Sequence, residues 1–251
     1  MFVTWSEKTV AEVLALRASG HTHIEISEHT GVPVSSMRNW FYRGAPKRTR
    51  YTSPPPSLDR DAIPCGPYAY LLGSYLGDGC LFRQTSGSWC LRIISDTAHP
   101  GLLDEFAAAM EAVSGGTAWR RKRPNMNAVE ISLTWWHWTS VLPQHGPGRK
   151  HKRKIELEDW QWDIVRDHTG KFLRGLIHTD GWRGWNKVKS KGKWYAYPRY
   201  QFSNRSDDIR KLFCDACDLL GVEWKPWTRW HISVARRDSV ALLDEHVGLK
   251  Y

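Results

Sequence analysis

The feature that most constrains the fold of this 251-residue chain is an internal repeat. Two apolar segments end on an Asp-Gly pair, one at Asp78 and one at Asp180, and the two aspartates are 102 residues apart. A basic segment follows each pair, so that Lys150 lies 72 residues after the first aspartate and Lys250 lies 70 residues after the second. Because two separate landmarks keep their spacing, we predict a duplicated fold rather than two unrelated halves.

The segments between these landmarks follow the same order in both halves. In the first half, alternating apolar residues over 89–93 predict a strand, a helical pattern covers 100–113, and two more strands are expected at 119–123 and 128–133. In the second half, the corresponding segments are a strand at 195–203, a helix at 206–220 and strands at 223–228 and 230–234. We therefore predict an α+β fold of two pseudo-symmetric α-β-β-α-β-β-α repeats, whose sheets keep one face polar and basic.

The two apolar segments carry small residues at a spacing that favours close helix pairing. Gly73 and Gly77 are four residues apart in the first, and Gly175 and Thr179 are four residues apart in the second. Small side chains on one helix face allow two backbones to approach, so the pattern predicts a pair of central helices in contact.

Helix pairing of this kind would bring Asp78 and Asp180 together in an unfavourable place. Each carboxylate would lie at the negative end of a helix dipole, and each would face the other. A divalent cation with oxygen ligands relieves both effects, and Mg²⁺ is suited to a site that phosphate also approaches. The alternative is structural: an Asp-Gly pair is also a common helix stop, with glycine in the left-handed position.

Residues 1–44 have the pattern of a helix-turn-helix module. Thr4 and Thr22 each begin a capping-box pattern that opens a helix, and a third helix is expected over 34–43. In a helix-turn-helix this last helix enters the major groove of DNA. Its polar residues suit phosphate and base-edge contacts, namely Ser35, Ser36, Arg38, Asn39 and Arg43. A three-helix packing module with a solvated polar face is the alternative.

Residues 45–64 read as a semi-extended basic linker, because three consecutive prolines and several basic residues neither continue a helix nor bury much surface. A first repeat at 65–165 and a second repeat at 166–251 follow it. Lys and Arg outnumber Asp and Glu by 36 to 26, and this net charge of +10 favours a polyanionic partner. With scattered cysteines and no apolar run that could span a membrane, we expect a cytoplasmic, nucleoid-associated protein.

The segments YLLGSYLGDG (70–79) and FLRGLIHTDG (172–181) resemble the paired signature motifs of the LAGLIDADG homing endonucleases in their monomeric, two-repeat form. The resemblance covers roughly residues 65–251, and the N-terminal module is an addition to the family fold. Leu76 and His178 stand where the family has its first acidic residue. Of the two motifs, the first is the more degenerate.

The resemblance implies a monomer that binds double-stranded DNA in a saddle formed by its two sheets and cleaves it with Mg²⁺ or Mn²⁺. Asp78 and Asp180 match the family's catalytic metal ligands. Lys150 and Lys250, at matching places after each repeat, would support the reaction near the phosphate. The neighbouring basic residues Arg149, Lys152 and Lys154 compete for that role.

The predicted sheets carry basic and polar residues that could follow the DNA backbone and read bases. In the first repeat the candidates are Arg83, Arg92, Arg121 and Arg123, with Arg120 and Lys122 between them. In the second repeat they are Lys187, Lys189, Arg199 and Gln201, with Lys191 and Lys193 nearby. Charges at strand tips can also protect a sheet edge from aggregation, so each position has this alternative.

Two functions remain open at this level. The first is a divalent-metal-dependent, site-specific DNA endonuclease, which the two aspartates favour. The second is a non-cleaving transcriptional regulator or phage-type repressor on the same fold, which the helix-turn-helix pattern and the degenerate first motif favour.

Overall fold

A computed structural model describes residues 5–43, 57–248 and 250 of the chain. The chain divides into two compact units, Met1–Pro54 and Pro55–Tyr251. Most of the linker expected over 45–64 falls outside the described residues. None of the helices in the described part combines the length and apolar character needed to cross a membrane.

The N-terminal unit contains three helices, α1 (Glu7–Ala18), α2 (His23–Thr30) and α3 (Val34–Arg43). The capping box at the start of α2 forms as expected, because the Thr22 side chain accepts from the Glu25 backbone and the Glu25 carboxylate accepts from the Thr22 backbone. The first helix begins differently: its N-cap is Ser6, and Thr4 lies outside the described residues. Five residues form a small core, Val13, Ile26, Val32, Met37 and Trp40.

The second unit contains two repeats of the same element order. The first consists of α4 (Cys65–Gly77), β1 (Cys80–Arg83), β2 (Trp89–Asp96), α5 (Pro100–Ser114), β3 (Trp119–Lys122), β4 (Ala128–Trp135) and α6 (Trp138–Val141). After α7 (Asp159–Asp167), the second consists of α8 (Thr169–Asp180), β5 (Gly181–Ser190), β6 (Lys193–Ser203), α9 (Asp207–Leu220), β7 (Lys225–Thr228), β8 (His231–Val234) and α10 (Arg237–His246). The predicted α+β class and the duplication are confirmed, whereas α7 was not predicted.

The two sheets have the same topology and matching registers. The first sheet has the strand order β1-β2-β4-β3 and the second has β5-β6-β8-β7, and every neighbouring pair is antiparallel. In the first sheet Arg92 lies between Cys80 and Ser132; in the second, Gln201 lies between Trp182 and Ser233. These cross-strand positions are equivalent in the two repeats.

Both sheets turn one face towards a shared core in which the central helices are buried. Leu91, Ile93 and Ile131 on the first sheet and Phe202 on the second have 0% exposure, and they belong to the same apolar cluster as Leu72 of α4. Alternate residues point to the opposite face of each sheet and away from this core. The outer faces are therefore the surfaces on which the second unit can present side chains to a partner.

The second repeat differs from the first in the length of one hairpin. The strands β5 and β6 pair along their whole length, from Gly181 opposite Phe202 to Ser190 opposite Lys193. Lys191 and Gly192 form the two-residue turn, and both have positive φ (47° and 77°), as a tight hairpin turn requires. Only the last residues of β6 pair with β8, so the distal part of this hairpin is two strands wide.

Candidate functional site

The central helices α4 and α8 contact each other backbone to backbone. A Cβ added to Gly73 would lie 2.3 Å from the Phe172 carbonyl oxygen, and one added to Gly175 would lie 2.2 Å from the Tyr70 carbonyl oxygen. No side chain fits at either distance, so glycine is required for the pairing. This is the close approach that the small-residue spacing predicts.

The helix pair brings Asp78 and Asp180 to the same end. Asp78 is the C-cap residue of α4, and Asp180 is the last residue of α8. A Cβ on Gly77 of α4 would lie only 3.2 Å from Asp180 Oδ2, which shows how closely the second carboxylate approaches the first helix. Asn204, just after β6, donates a hydrogen bond to the same Oδ2 at 2.6 Å.

The surroundings of these two carboxylates disfavour their charged forms. Burial, followed by the negative charge of Asp78, raises the pKa of Asp180 to about 6. Burial also raises the pKa of Asp78 above its ordinary value. The hydrogen bond from Asn204 and the charges of two lysines oppose the rise at Asp180, but they do not cancel it.

Lys150 and Lys250 approach the ends of the same two helices. Lys150 Nζ donates to the carbonyl oxygens of Leu76 (3.1 Å) and Gly77 (2.9 Å) and also to that of Tyr75. Lys250 Nζ donates to the Thr179 carbonyl oxygen of α8 at 3.4 Å.

Burial is the main cause of a lowered pKa at both lysines, and it brings that of Lys150 to about 8. Each lysine thus places a positive charge at the negative end of the signature helix of its own repeat.

Two of the basic residues that compete with Lys150 are placed differently from it. Lys154 forms an exposed ion pair with Glu156 at 2.7 Å. Arg149 lines a cleft of about 1130 Å³ that also contains Lys150, Asp180 and Asn204. Arg153, which the sequence did not single out, donates to the carbonyl oxygens of residues 144, 146 and 148 and so holds the loop that carries Lys150.

Leu76 and His178, which stand at the first acidic position of the motif that the sequence resembles, lie in the core. Leu76 has 0% exposure, and His178 is also buried, with its Nδ1 3.1 Å from the hydroxyl of Tyr70. Burial lowers the pKa of His178 to about 4, so its ring is neutral at pH 7. Neither residue contributes an acidic group, and the carboxylates at this site come from Asp78 and Asp180.

The two carboxylates fit a hard divalent cation. Within residues 5–43, 57–248 and 250, no group of three or more His, Cys, Asp or Glu side chains could hold a metal ion. Mg²⁺, however, commonly takes one or two protein carboxylates and completes its shell with water and substrate phosphate. Burial is the first cause of the raised pKa values of Asp78 and Asp180, and a bound cation would stabilise the charged forms that burial disfavours.

The candidate DNA-contacting residues of the first sheet are divided between its two faces. Arg92 lies on the outer face, 5.2 Å from the centroid of the Phe82 ring, and it forms an ion pair with Glu130 at 3.8 Å. Arg121 is opposite Glu130 in the register, and Arg123 bonds the same carboxylate at 3.0 Å.

The other arginines and lysine of this sheet lie elsewhere. Arg120 is opposite the buried Ile131 and pairs with Asp104 of α5 at 2.6 Å, and Lys122 shares its face of β3. Arg83 is exposed at the end of β1, on the same face as the buried Leu81.

The candidate DNA-contacting residues of the second sheet are also divided between its two faces. Arg199 and Gln201 alternate with the buried Tyr200, so they lie on the outer face. Lys187 and Lys189 are opposite Ala196 and Trp194, which alternate along β6 with the outer-face residues, so both lysines lie on the other face of the β5–β6 hairpin. On α3, Ser35, Arg38 and Asn39 are exposed and Ser36 is half-buried, whereas the side chain of Arg43 lies outside the described residues.

The comparisons with known proteins give a fold likeness only. No family model matches the chain, and no curated protein does. Among solved structures, mesophilic variants of the homing endonuclease I-DmoI are similar at 13% identity and a TM-score of 0.49, over 73% of this chain and 96% of theirs. The LAGLIDADG meganuclease I-AabMI bound to uncleaved DNA is similar at 10% identity and a TM-score of 0.48, over 73% of this chain and 85% of that one. A K262A mutant of I-SmaMI follows at 11% identity and 0.47, over 73% and 86% of the two chains.

Proposed function

We propose that this chain binds double-stranded DNA at a specific site and hydrolyses its phosphodiester bonds with Mg²⁺ or Mn²⁺. The observation that carries the proposal is the pair Asp78 and Asp180, two buried carboxylates at one end of a close-packed helix pair, with raised pKa values. Burying two like charges costs stability unless a ligand compensates for it. The alternative, a helix stop with glycine in the left-handed position, does not form after Asp180, because Gly181 has a φ of −98°.

Each residue has a role that follows from its surroundings. Asp78 and Asp180 would hold the divalent cation, which supplies charge stabilisation and an acidic bound water when present. Asn204 orients the Asp180 carboxylate by its hydrogen bond to Oδ2. Lys150 and Lys250 keep positive charge at the helix ends, where a phosphate would enter the cleft.

The outer faces of the two sheets would bind the duplex. Arg92, Arg121 and Arg123 on the first sheet and Arg199 and Gln201 on the second have the donors for phosphate and base-edge contacts. The N-terminal unit would extend the recognised site through α3, on which Arg38 and Asn39 are exposed.

The test begins with selection of bound duplexes from a random DNA library, followed by incubation with Mg²⁺ or Mn²⁺. We expect cleavage by the natural chain, and binding without cleavage by Asp78→Asn and Asp180→Asn. Asp104→Asn is the matched control, because it removes a carboxylate on α5 and should cut normally. Binding without cleavage under both metals would instead support the non-cleaving regulator, and cleavage by the double aspartate variant would place the active site elsewhere.

A further inference from the structure

The second sheet combines exposed aromatic rings with basic residues and contains no acidic ones. Its four strands carry six basic and eight aromatic residues and no Asp or Glu. Six of those aromatic side chains are exposed: Trp182, Tyr195 and Tyr197 share the outer face with Arg199, Trp185 and Trp194 lie on the other face of the hairpin, and Trp227 lies on β7. The strands of the first sheet differ, because they contain Asp96 and Glu130 and only four aromatic residues.

The rings on the outer face of the β5–β6 hairpin are ordered relative to one another. Tyr195 and Tyr197 are parallel within 8°, with their ring centroids 6.3 Å apart. Trp182 lies across Gly184: a Cβ on that glycine would be 1.9 Å from the indole. The glycine thus leaves space for an indole to lie against the strand, with 46% of the residue still exposed.

Cations lie beside two other rings, Trp227 of β7 and Trp230 just before β8. Arg199, which is opposite Gly184, has its guanidinium carbon 5.8 Å from the centroid of the Trp227 ring. Arg205 approaches Trp230 at 5.2 Å. The arginines favour an anionic ligand, and the exposed ring faces favour a ligand with flat rings of its own.

Among anionic polymers, single-stranded DNA has the chemistry that matches. Bases within a duplex are stacked on their neighbours and present only their edges to a protein. An unpaired base has a free face that stacks on Tyr or Trp whatever its identity, while its phosphate meets Lys or Arg. A second copy of this chain would be repelled, because the same face of each copy is basic.

We propose that the outer face of the second sheet is a binding site for single-stranded DNA, in which Tyr195, Tyr197 and Trp182 stack on unpaired bases. The same face carries Arg199 and Gln201, which we assign to duplex binding, but stacking on unpaired bases is separate from duplex cleavage and does not require the two aspartates. Arg199 would contact the phosphates of the bound strand.

The test measures the affinity of the full chain for a fluorescently labelled oligo-dT of about 15 nucleotides, by fluorescence anisotropy without divalent metal. An abasic strand of the same length supplies the same charge without bases. We expect the abasic strand to bind about tenfold or more weakly, and the variant Tyr195→Ala/Tyr197→Ala to lose about 10- to 100-fold in affinity for oligo-dT.

Two control variants separate stacking from other effects. Tyr195→Phe/Tyr197→Phe keeps both rings and should bind oligo-dT like the natural chain, which also shows that the hairpin tolerates substitution. Trp119→Ala removes the most exposed tryptophan of the first sheet (76%) and should leave the affinity unchanged. Asp78→Asn/Asp180→Asn should bind oligo-dT normally, so that a failure of the cleavage proposal remains distinguishable.

Several results would overturn the proposal. Equal binding of the abasic strand would show that the surface acts only through charge. An equal loss of duplex affinity in the alanine variant would assign the rings to duplex binding. Tighter binding of oligo-U than of oligo-dT would assign the site to RNA, and a dimer that the alanine variant dissociates would assign it to self-association.

Discussion

Asn204 donates a hydrogen bond to Asp180 Oδ2 at 2.6 Å, and the register gives this asparagine a different residue, Ser95, as its counterpart in the first repeat. The two halves of the site are therefore chemically unequal although their folds match. Asp180 accepts a hydrogen bond from the Asn204 amide, and the register places a serine, not an amide, at the equivalent position of the first repeat.

Replacement of Asn204 by alanine should raise the pKa of Asp180 further. The hydrogen bond favours the charged carboxylate, and without it burial and Asp78 act with less opposition. The cleavage rate should then fall at a higher pH than in the natural chain, whose acid limb we expect near pH 6. Ser95→Ala is the matched control and should leave the pH–rate profile in place. An unshifted profile in the asparagine variant would show that the hydrogen bond does not govern ionisation.

Asp180→Asn should make the fold more stable at pH 8. The carboxyl group has a pKa of about 6 in the folded chain against 3.8 ordinarily, so the folded state binds its proton more tightly and loses stability as the pH rises from about 4 to 6. The amide carries no charge and avoids this loss, which corresponds to about 1–3 kcal/mol and a rise of several degrees in Tm.

The gain should shrink below about pH 4, where the natural carboxyl group is already protonated. Thermal unfolding at pH 8 and pH 4 without metal measures both values. The result to compare is the difference in Tm between variant and natural chain, and a gain that persists at low pH would mean that the variant stabilises the fold by another route.

Gly73→Ala should destabilise the second unit severely. Its methyl group would lie 2.3 Å from a backbone carbonyl of α8, and backbone cannot move aside without separating the helix pair. A loss of more than about 3 kcal/mol is expected, measured by chemical denaturation. Gly66→Ala is the control in the same helix, because its Cβ would be 3.8 Å from the nearest atoms. That substitution should be neutral or stabilising by up to about 1 kcal/mol.

The central helices and their pairing could be predicted because the glycine spacing and the Asp-Gly pairs are patterns of residues that are close together in the sequence. The division of the basic residues between sheet faces could not. The sequence predicts one DNA surface that includes Lys187 and Arg199, but the pairing register puts them on opposite faces. This register depends on the alignment of two strands, which local sequence does not specify. Asn204 cannot be identified from the sequence for a similar reason, since only the fold brings it beside Asp180, 24 positions earlier.

Glu130→Gln should strengthen duplex binding. Glu130 is on the outer face of the first sheet, where its carboxylate pairs with Arg92 at 3.8 Å and with Arg123 at 3.0 Å. The amide would release both guanidinium groups to contact phosphates, so the affinity should rise by about threefold to tenfold and the salt dependence should become steeper.

Asp104→Asn provides the matched control for this last substitution. It removes an equal charge, but its partner Arg120 is opposite the buried Ile131, on the helix side of the sheet. Its effect on duplex affinity should stay within about twofold, because net charge alone acts weakly through solvent at physiological salt. Anisotropy titrations of the selected duplex at several salt concentrations measure both variants. Equal gains from Glu130→Gln and Asp104→Asn would mean that only net charge matters and that the outer face of the first sheet does not contact DNA.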